Sequence, residues 1–305
     1  MVRPNWRTIT DFAKRKDWPL KLAARLGQGR GHLRVIDRLA HVPLAPRKPD
    51  LSGWISHELA AVWIGHATLL LRIGGKTILT DPVFSARVGL GFGIATAGPL
   101  RLVRPALRID QLPPIDLILI SHAHFDHLDV PSLARLPKTS TVITPNHVSD
   151  LIARLRFRRV VELKLGEQFT LDNLTITAQP VRHWGARTFT DTHRGYCAYT
   201  LDAAGHRILY GADTAYHDGW RGLGPVDLAI VGIGAYDPYI AAHANPEQAL
   251  EMADQVEARH VFPIHHSTFK LSHEPKHEPI QRLLKAAGEN ANRIVGRDVG
   301  DQWAR

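Results

Sequence analysis

The sequence of 305 residues contains a single cysteine, Cys197, so no disulfide can form within the chain. Small scaffolds stapled by disulfides are thereby excluded. Long apolar runs are missing too. The longest uncharged stretches, Leu59 to Leu71 and Val88 to Leu100, fall short of the roughly 18–20 apolar residues that a membrane span needs. The opening Met1-Val2-Arg3-Pro4-Asn5 leads into charge rather than an apolar segment, which predicts no secretory signal. Together these absences predict a soluble protein of a reducing compartment, the cytoplasm. Acidic residues are scarce in one region only. Residues 1–50 hold 12 Lys+Arg against 4 Asp+Glu, whereas the other 255 hold 26 against 25. Of the net charge of +9, +8 therefore belongs to an N-terminal extension over residues 1–50. Such a segment suits an anionic surface, for instance the inner face of a membrane, or simply water.

What is present fits a globular domain, with 44% hydrophobic and 22% charged residues and enough length for one large core. Residues 1–50 read as short basic helices around Trp18 to Leu26 and Leu33 to Ala40, interrupted by Gly27, Gly29 and Gly31 and closed by Pro43, Pro46 and Pro49. From Glu58 onward, short β-branched runs bounded by turns predict strands at Ala61 to Ile64, Thr68 to Ile73 and Thr77 to Thr80, with Gly74-Gly75 as a hairpin turn. Further strands are expected at Asp116 to Ile120, Thr141 to Ile143, Arg159 to Leu163, Leu174 to Ala178, Tyr196 to Leu201, Arg207 to Tyr210, Leu228 to Gly232 and His260 to Ile264. Helices are expected near Val130 to Leu136, Val148 to Leu155, Asn245 to Ala258 and Pro279 to Ala287. Two strand-rich halves, each closed by helices, predict an α+β sandwich with the helices outside.

The chemistry concentrates in Ser121-His122-Ala123-His124-Phe125-Asp126-His127, directly after a predicted strand. Three imidazoles and a carboxylate within six residues are poor core material, and they are the donor types that bind Zn²⁺ and similar cations. Further donors follow other predicted strands: His183, Asp213 in Gly211-Ala212-Asp213-Thr214, and His265 in Pro263-Ile264-His265-His266-Ser267-Thr268-Phe269. The neighbouring His266 is an alternative to His265 as a donor.

This order of motifs, His-x-His-x-Asp-His, a distant His, an Asp after a strand and a late His, resembles the metallo-β-lactamase superfamily. The resemblance implies a four-layer αβ/βα sandwich over residues 51–305 with a binuclear metal site on the top edge of its sheets. Trp63-Ile64-Gly65-His66-Ala67-Thr68, Leu79-Thr80-Asp81-Pro82, Leu112-Pro113-Pro114-Ile115-Asp116, Gly232-Ile233-Gly234-Ala235-Tyr236 and His243-Ala244-Asn245-Pro246-Glu247 narrow it. They resemble the lipid-active branch typified by N-acyl-phosphatidylethanolamine-hydrolysing phospholipase D. Carried over, the resemblance implies one divalent cation on His122, His124 and His183 and a second on Asp126, His127 and His265, with Asp213 shared. His265 holds the family position after its strand. Zn²⁺ is the expected metal, with Mn²⁺ or Fe as alternatives, and the implied chemistry is attack of hydroxide on a phosphodiester. Asp213 in place of a cysteine donor argues against a β-lactam substrate. Asp81 is expected to accept the free N–H of a donor histidine, and His66 to lie near the metals. His243 and Tyr236 are expected to touch substrate or pass a proton.

The expected partner is a small-molecule or lipid phosphodiester. Residues 1–50 and 88–108 are expected to make peripheral membrane contact, the apolar Val88 to Leu100 loop meeting lipid tails and Arg101, Arg104 and Arg108 the headgroups. The competing enzyme reading keeps the site but takes a soluble lactone, organophosphate or small phosphodiester. No nucleic acid is expected, because only the basic extension points to one.

Overall fold

A computed structural model of the chain describes residues 42–92, 95–188 and 190–305. The basic helices expected before Val42 lie outside the described residues. The first half holds β1 (Leu59–Gly65), β2 (Thr68–Ile73), β3 (Lys76–Thr80), a small hairpin of β4 (Leu90–Phe92) and β5 (Ala95–Ala97), then β6 (Leu117–Leu119), α1 (Val130–Arg135), β7 (Thr141–Pro145) and β8 (Arg159–Leu163). The second half holds β9 (Gln168–Leu171), β10 (Leu174–Gln179), β11 (Ala198–Ala203), β12 (His206–Tyr210), β13 (Leu228–Gly232), α2 (Pro246–Gln255), β14 (His260–Ile264), α3 (Glu278–Ala287) and β15 (Gln302–Ala304).

The strands form a seven-stranded sheet, ordered β15-β1-β2-β3-β6-β7-β8, and a six-stranded sheet, ordered β14-β13-β12-β11-β10-β9. Strand sequence explains why both faces of each sheet are covered. In β1, Leu59, Ala61 and Trp63 enter the core between the sheets, while Ala60, Val62 and Ile64 face the outer layer that includes Leu133 of α1. In β13, Leu228 and Ile230 point between the sheets, and Ala229 and Val231 meet Met252 of α2 and Leu283 of α3. A period of two with apolar residues in both phases is the pattern of strands buried on both faces. The result is helix, sheet, sheet, helix, the four-layer αβ/βα sandwich that the resemblance implied. Gly74 and Gly75 (φ 57° and 78°) make the expected tight turn between β2 and β3.

Strand direction positions the site. β1 runs antiparallel to β2 and β2 to β3, and β3 pairs parallel with β6. The C-terminal ends of β1, β3 and β6 therefore share one edge. By the same reasoning β10, β12 and β14 end on one edge of the other sheet. The segments carrying His66, Asp81, His122 to His127, His183, Asp213 and His265 each follow one of these six ends.

Three local expectations are corrected. Val148 to Leu155 is not an α-helix but two 3₁₀ turns, Ser149–Leu151 and Ala153–Leu155, stopped by Arg156 at φ 57°. Glu162 takes the Val148 and Ser149 N–H groups (3.0 and 2.8 Å) and ties this segment to β8. The Val88 to Leu100 stretch is not a plain loop, since it folds into the β4–β5 hairpin. Arg101 does not face a headgroup. It is 2% exposed, gives its guanidinium protons to the carbonyls of Val83 and Val103, and lies over the Phe269 ring. Arg108 stays at the surface, paired with the equally exposed Asp110 (2.9 and 2.8 Å).

Asp227, 7% exposed at the opposite end of the second sheet, joins four elements. It accepts from the Arg207 amide (3.0 Å), Arg259 (3.0 Å) and the C-terminal Arg305 (3.1 Å), with His206 at 3.3 Å. Burial alone would raise its pKa, but these donors hold it below the ordinary carboxylate value. Asp227→Ala is expected to cost about 2 kcal/mol at pH 7 in urea denaturation. A carboxyl depressed on folding stabilises fully above its unfolded pKa of about 4 and loses that contribution as pH falls through the folded value. The difference between native protein and variant should therefore shrink below about pH 4; a pH-independent difference would contradict the assignment.

Candidate metal centre

Seven donors predicted from the motifs converge on the shared edge. His122 Nε2, His124 Nδ1 and His183 Nε2 form one group, with separations of 2.8 Å between the first two and 3.3 Å between the last two. Asp126, His127 and His265 form another, together with His66, whose Nε2 lies 2.9 Å from Asp126 Oδ2. Asp213 stands between them. Its Oδ2 is 3.1 Å from both His127 Nε2 and His265 Nε2, and 3.9 and 3.8 Å from the Nε2 atoms of His122 and His183.

The rings are held from behind. Asp81, fully buried, accepts from the Ser121 amide (2.7 Å), Ser121 Oγ (2.5 Å), Tyr210 Oη (2.6 Å) and His127 Nδ1 (2.7 Å). That last bond leaves His127 Nε2 for the site, as expected of a carboxylate behind a donor histidine. His183 Nδ1 donates to the Ala242 carbonyl (2.9 Å) and so turns its Nε2 inward. Backbone geometry is spent here as well: His66, Asp81, Ala212 and His265 all have left-handed φ, between 31° and 63°. Each costs roughly 1–2 kcal/mol for a non-glycine residue. The His66 turn is fastened by Trp63 Nε1 to its carbonyl (2.8 Å) and by its amide to Thr268 Oγ1 (2.8 Å).

Charge divides the centre in two. Burial, then the neighbouring imidazoles, hold His122 well below the ordinary histidine value and His124 at about 3, while burial brings His183 to about 4. These three are neutral lone-pair donors. Burial also opposes charge on His127 and His265, but the carboxylates of Asp213 and Asp126 outweigh it, keeping His127 well above the usual value and His265 at about 9. Asp126 and Asp213 are driven well below theirs: burial would raise them, and His127 and its neighbours overcome it.

The donor set fits divalent cations on the structure's own terms. His127 Nε2, Asp213 Oδ1 and His265 Nε2 are buried atoms that find no aligned hydrogen-bond partner. An unsatisfied buried polar group costs about 1–3 kcal/mol, so a centre with this many asks for something more than protein to complete it. Mixed imidazole and carboxylate donors are the ligands of Zn²⁺ and its neighbours.

Of the remaining predicted residues, His243 joins the centre, with Nδ1 3.8 Å from Asp213 Oδ2 and its ring 5.0 Å from His183. His66 sits beside His265 as expected, ring centroids 4.1 Å apart. His266 turns away from the carboxylates and packs on Trp63. Tyr236 is a correction: its hydroxyl donates to Glu278 at the start of α3 (2.7 Å), and Arg282 covers its ring. Its expected part in the reaction finds no free hydroxyl. The motif around it serves packing instead, because a Cβ on Gly234 would collide with the His265 carbonyl oxygen.

Two contributors carry no sequence signal. Arg187 Nη1 donates to the carbonyls of Ala123 and Leu128 (2.8 Å each), and its guanidinium lies over Phe125, clasping the His-x-His-x-Asp-His loop at both ends. Trp184 sets its ring against His124 and His183, at 4.8 and 4.5 Å.

Fold and donor set together define the class, a metal-dependent hydrolase of the metallo-β-lactamase fold. The chain belongs to the β-lactamase superfamily, whose domain model matches residues 76–266. It is 34% identical over 264 residues to an uncharacterised protein of Mycobacterium tuberculosis, covering 81% of this chain and 68% of that one. It is 30% identical over 273 residues to N-acyl-phosphatidylethanolamine-hydrolyzing phospholipase D 1 of Caenorhabditis elegans, covering 80% of this chain and 75% of that protein. In structure it resembles a possible metal-dependent hydrolase from Veillonella parvula, with a TM-score of 0.65 at 17% identity over 81% of this chain and 99% of the other.

Asp81→Asn is expected to weaken divalent-metal binding by about 10–100-fold, because His127 loses the carboxylate that orients it. Competition with a fluorescent chelator measures this. Unchanged affinity would mean that Asp81 serves the fold alone.

Proposed function

We propose that the chain is a two-metal phosphodiesterase of phospholipase D type that acts on N-acyl-phosphatidylethanolamine-like lipids. The observation that carries this reading is Asp213, whose Oδ2 stands 3.1–3.9 Å from imidazoles of both donor groups. The 30% identity to the nematode phospholipase supports the substrate. In this reading His122, His124 and His183 would hold one cation and Asp126, His127 and His265 the other, with Asp213 available to both. Zn²⁺ suits this imidazole-rich set, with Mn²⁺ or Fe as alternatives. When bound, such cations lower the pKa of water and offset charge developing on a phosphoryl group.

The remaining work falls to the chain. Asp81, Ala242 and Arg187 fix the donor rings and their loop, so little reorganisation is left for the reaction. Water adds to phosphorus, the P–O bond on the headgroup side breaks, and the N-acylethanolamine leaves with a proton, giving phosphatidic acid. His243 is the group we assign to that proton. Burial keeps its imidazole neutral, well below the usual value, so in this assignment it first takes the proton that the attacking water gives up and then hands it to the leaving oxygen; its side chain is 11% exposed beside Asp213. Cys197 takes no part; it is 2% exposed, with its thiol pushed up to about 12 by burial. Membrane contact, in the same proposal, belongs to the basic extension and to the β4–β5 hairpin, near which Leu90 and Leu100 are 45% and 37% exposed. Among the described residues no helix is long and apolar enough to cross a membrane.

The test is mass spectrometry of zinc-loaded protein incubated with N-acyl-phosphatidylethanolamine in mixed micelles, beside an Asp213→Asn variant. Phosphatidic acid and N-acylethanolamine are expected from the native chain, with at least a hundredfold less from the variant. Intact lipid alongside turnover of lactones or soluble phosphoesters would transfer the site to the competing substrate class.

A further inference from the structure

A cleft of about 440 Å³ opens beside the metal centre, between Leu102 and the segment that follows β14. His265 lines it, so it is continuous with the second donor group. A concave space of this size at the edge of a reaction centre suits part of a small molecule. Leu102, Phe269 and Leu271 give it an apolar side, and much of the remaining lining is polar or charged.

Lys270 and Lys276 both border the cleft and are exposed, and neither ammonium has a hydrogen-bond or ion-pair partner among the described residues. The one carboxylate on the lining is engaged elsewhere. Glu274 accepts from the amides of Ala235 (2.6 Å) and Asp237 (3.2 Å) and from Ser272 Oγ (2.6 Å). Glu278, next to the lining residue Pro279, accepts from the Tyr236 hydroxyl (2.7 Å) and from Arg282 (3.2 Å). The lining therefore carries two uncommitted ammonium groups and no uncommitted carboxylate. A lysine ammonium offers three donors on a flexible four-carbon stem, so it closes on an anion without a preset geometry.

We infer that this cleft is an anion subsite, in which Lys270 and Lys276 receive a carboxylate or phosphate carried by the substrate beside its reacting phosphoryl group. The chain then favours phosphodiesters that bear a second negative charge. The inference rests on the phosphodiesterase reading for the group that meets the metals, but binding tests it without any hydrolysis. The apolar side takes the hydrocarbon that links the two anionic groups.

Calorimetry on the zinc-loaded full chain compares phosphonoalkanoates with alkylphosphonates of the same length, over a series of lengths. Both present a phosphonate whose P–C bond resists hydrolysis, and only the first carries a carboxylate at its far end. At the length that spans the two sites the phosphonoalkanoate is expected to bind about tenfold tighter. Lys270→Gln combined with Lys276→Gln is expected to erase that difference by weakening the phosphonoalkanoate alone. Simple alkanoates distinguish a substrate subsite from a site for free anions, and they are expected to bind weakly. No preference at any length, a preference that survives the double variant, or equal loss of both ligands in it would each overturn the inference. So would alkanoates that bind as tightly as the phosphonoalkanoates. If the lysine-dependent preference holds while N-acyl-phosphatidylethanolamine stays intact, the subsite stands and the phospholipase reading falls.

Discussion

A carboxylate shut away from water has to be met by positive charge, and the centre of this protein is organised around that requirement. Asp213 is 3% exposed, and five imidazoles lie within 4 Å of its Oδ2. Removing such an ion from water costs several kcal/mol unless neighbouring charge compensates. His127 and His265, held above the usual histidine value by the neighbouring carboxylates, supply part of that compensation, yet buried atoms of both rings and of Asp213 itself remain without aligned partners. A small cation would satisfy donors that approach from both sheets at once. Such cations also account for a histidine-lined interior that would otherwise be an expensive core.

The sandwich can be understood as the device that assembles this centre. Six strands end on one edge, and the residue that closes several of these strand ends departs from ordinary backbone geometry. His66, Asp81, Ala212 and His265 adopt left-handed φ that propensity alone would refuse. The two apolar layers and the core between the sheets hold these turns in place, and Asp81 gathers Ser121 and His127 of one loop and Tyr210 of β12. Metal affinity and fold stability thus share the same side chains, so a change at Asp81 or Trp63 will be felt in both.

Much of this was legible in the sequence because the donors follow strands directly. The His122 to His127 cluster, Asp213 and His265 each sit at the end of an apolar run, and alternating apolar phases marked the strands between. Asp81 was readable for the same reason. What stayed hidden was set by partners far along the chain. Arg187 reaches carbonyls 59 and 64 residues away, with no local pattern to announce it. Tyr236 looked like a pocket residue because its motif belongs beside the site, but Glu278 claims its hydroxyl from 42 residues on. Arg101 was expected at a lipid headgroup because charge beside an apolar glycine-rich stretch suits a membrane surface; the structure buries it as a clamp on the Val83 and Val103 carbonyls. The short strands β9 and β15 carry too little alternation to stand out before their neighbours are known.

The central claim is that Asp213 lies between two cations held by the two donor groups. Anomalous diffraction from crystals of the zinc-loaded protein tests it most directly. Two peaks are predicted, one among His122, His124 and His183 and one among Asp126, His127 and His265, both in contact with Asp213. A single peak, or two that leave Asp213 without a metal contact, would contradict the account.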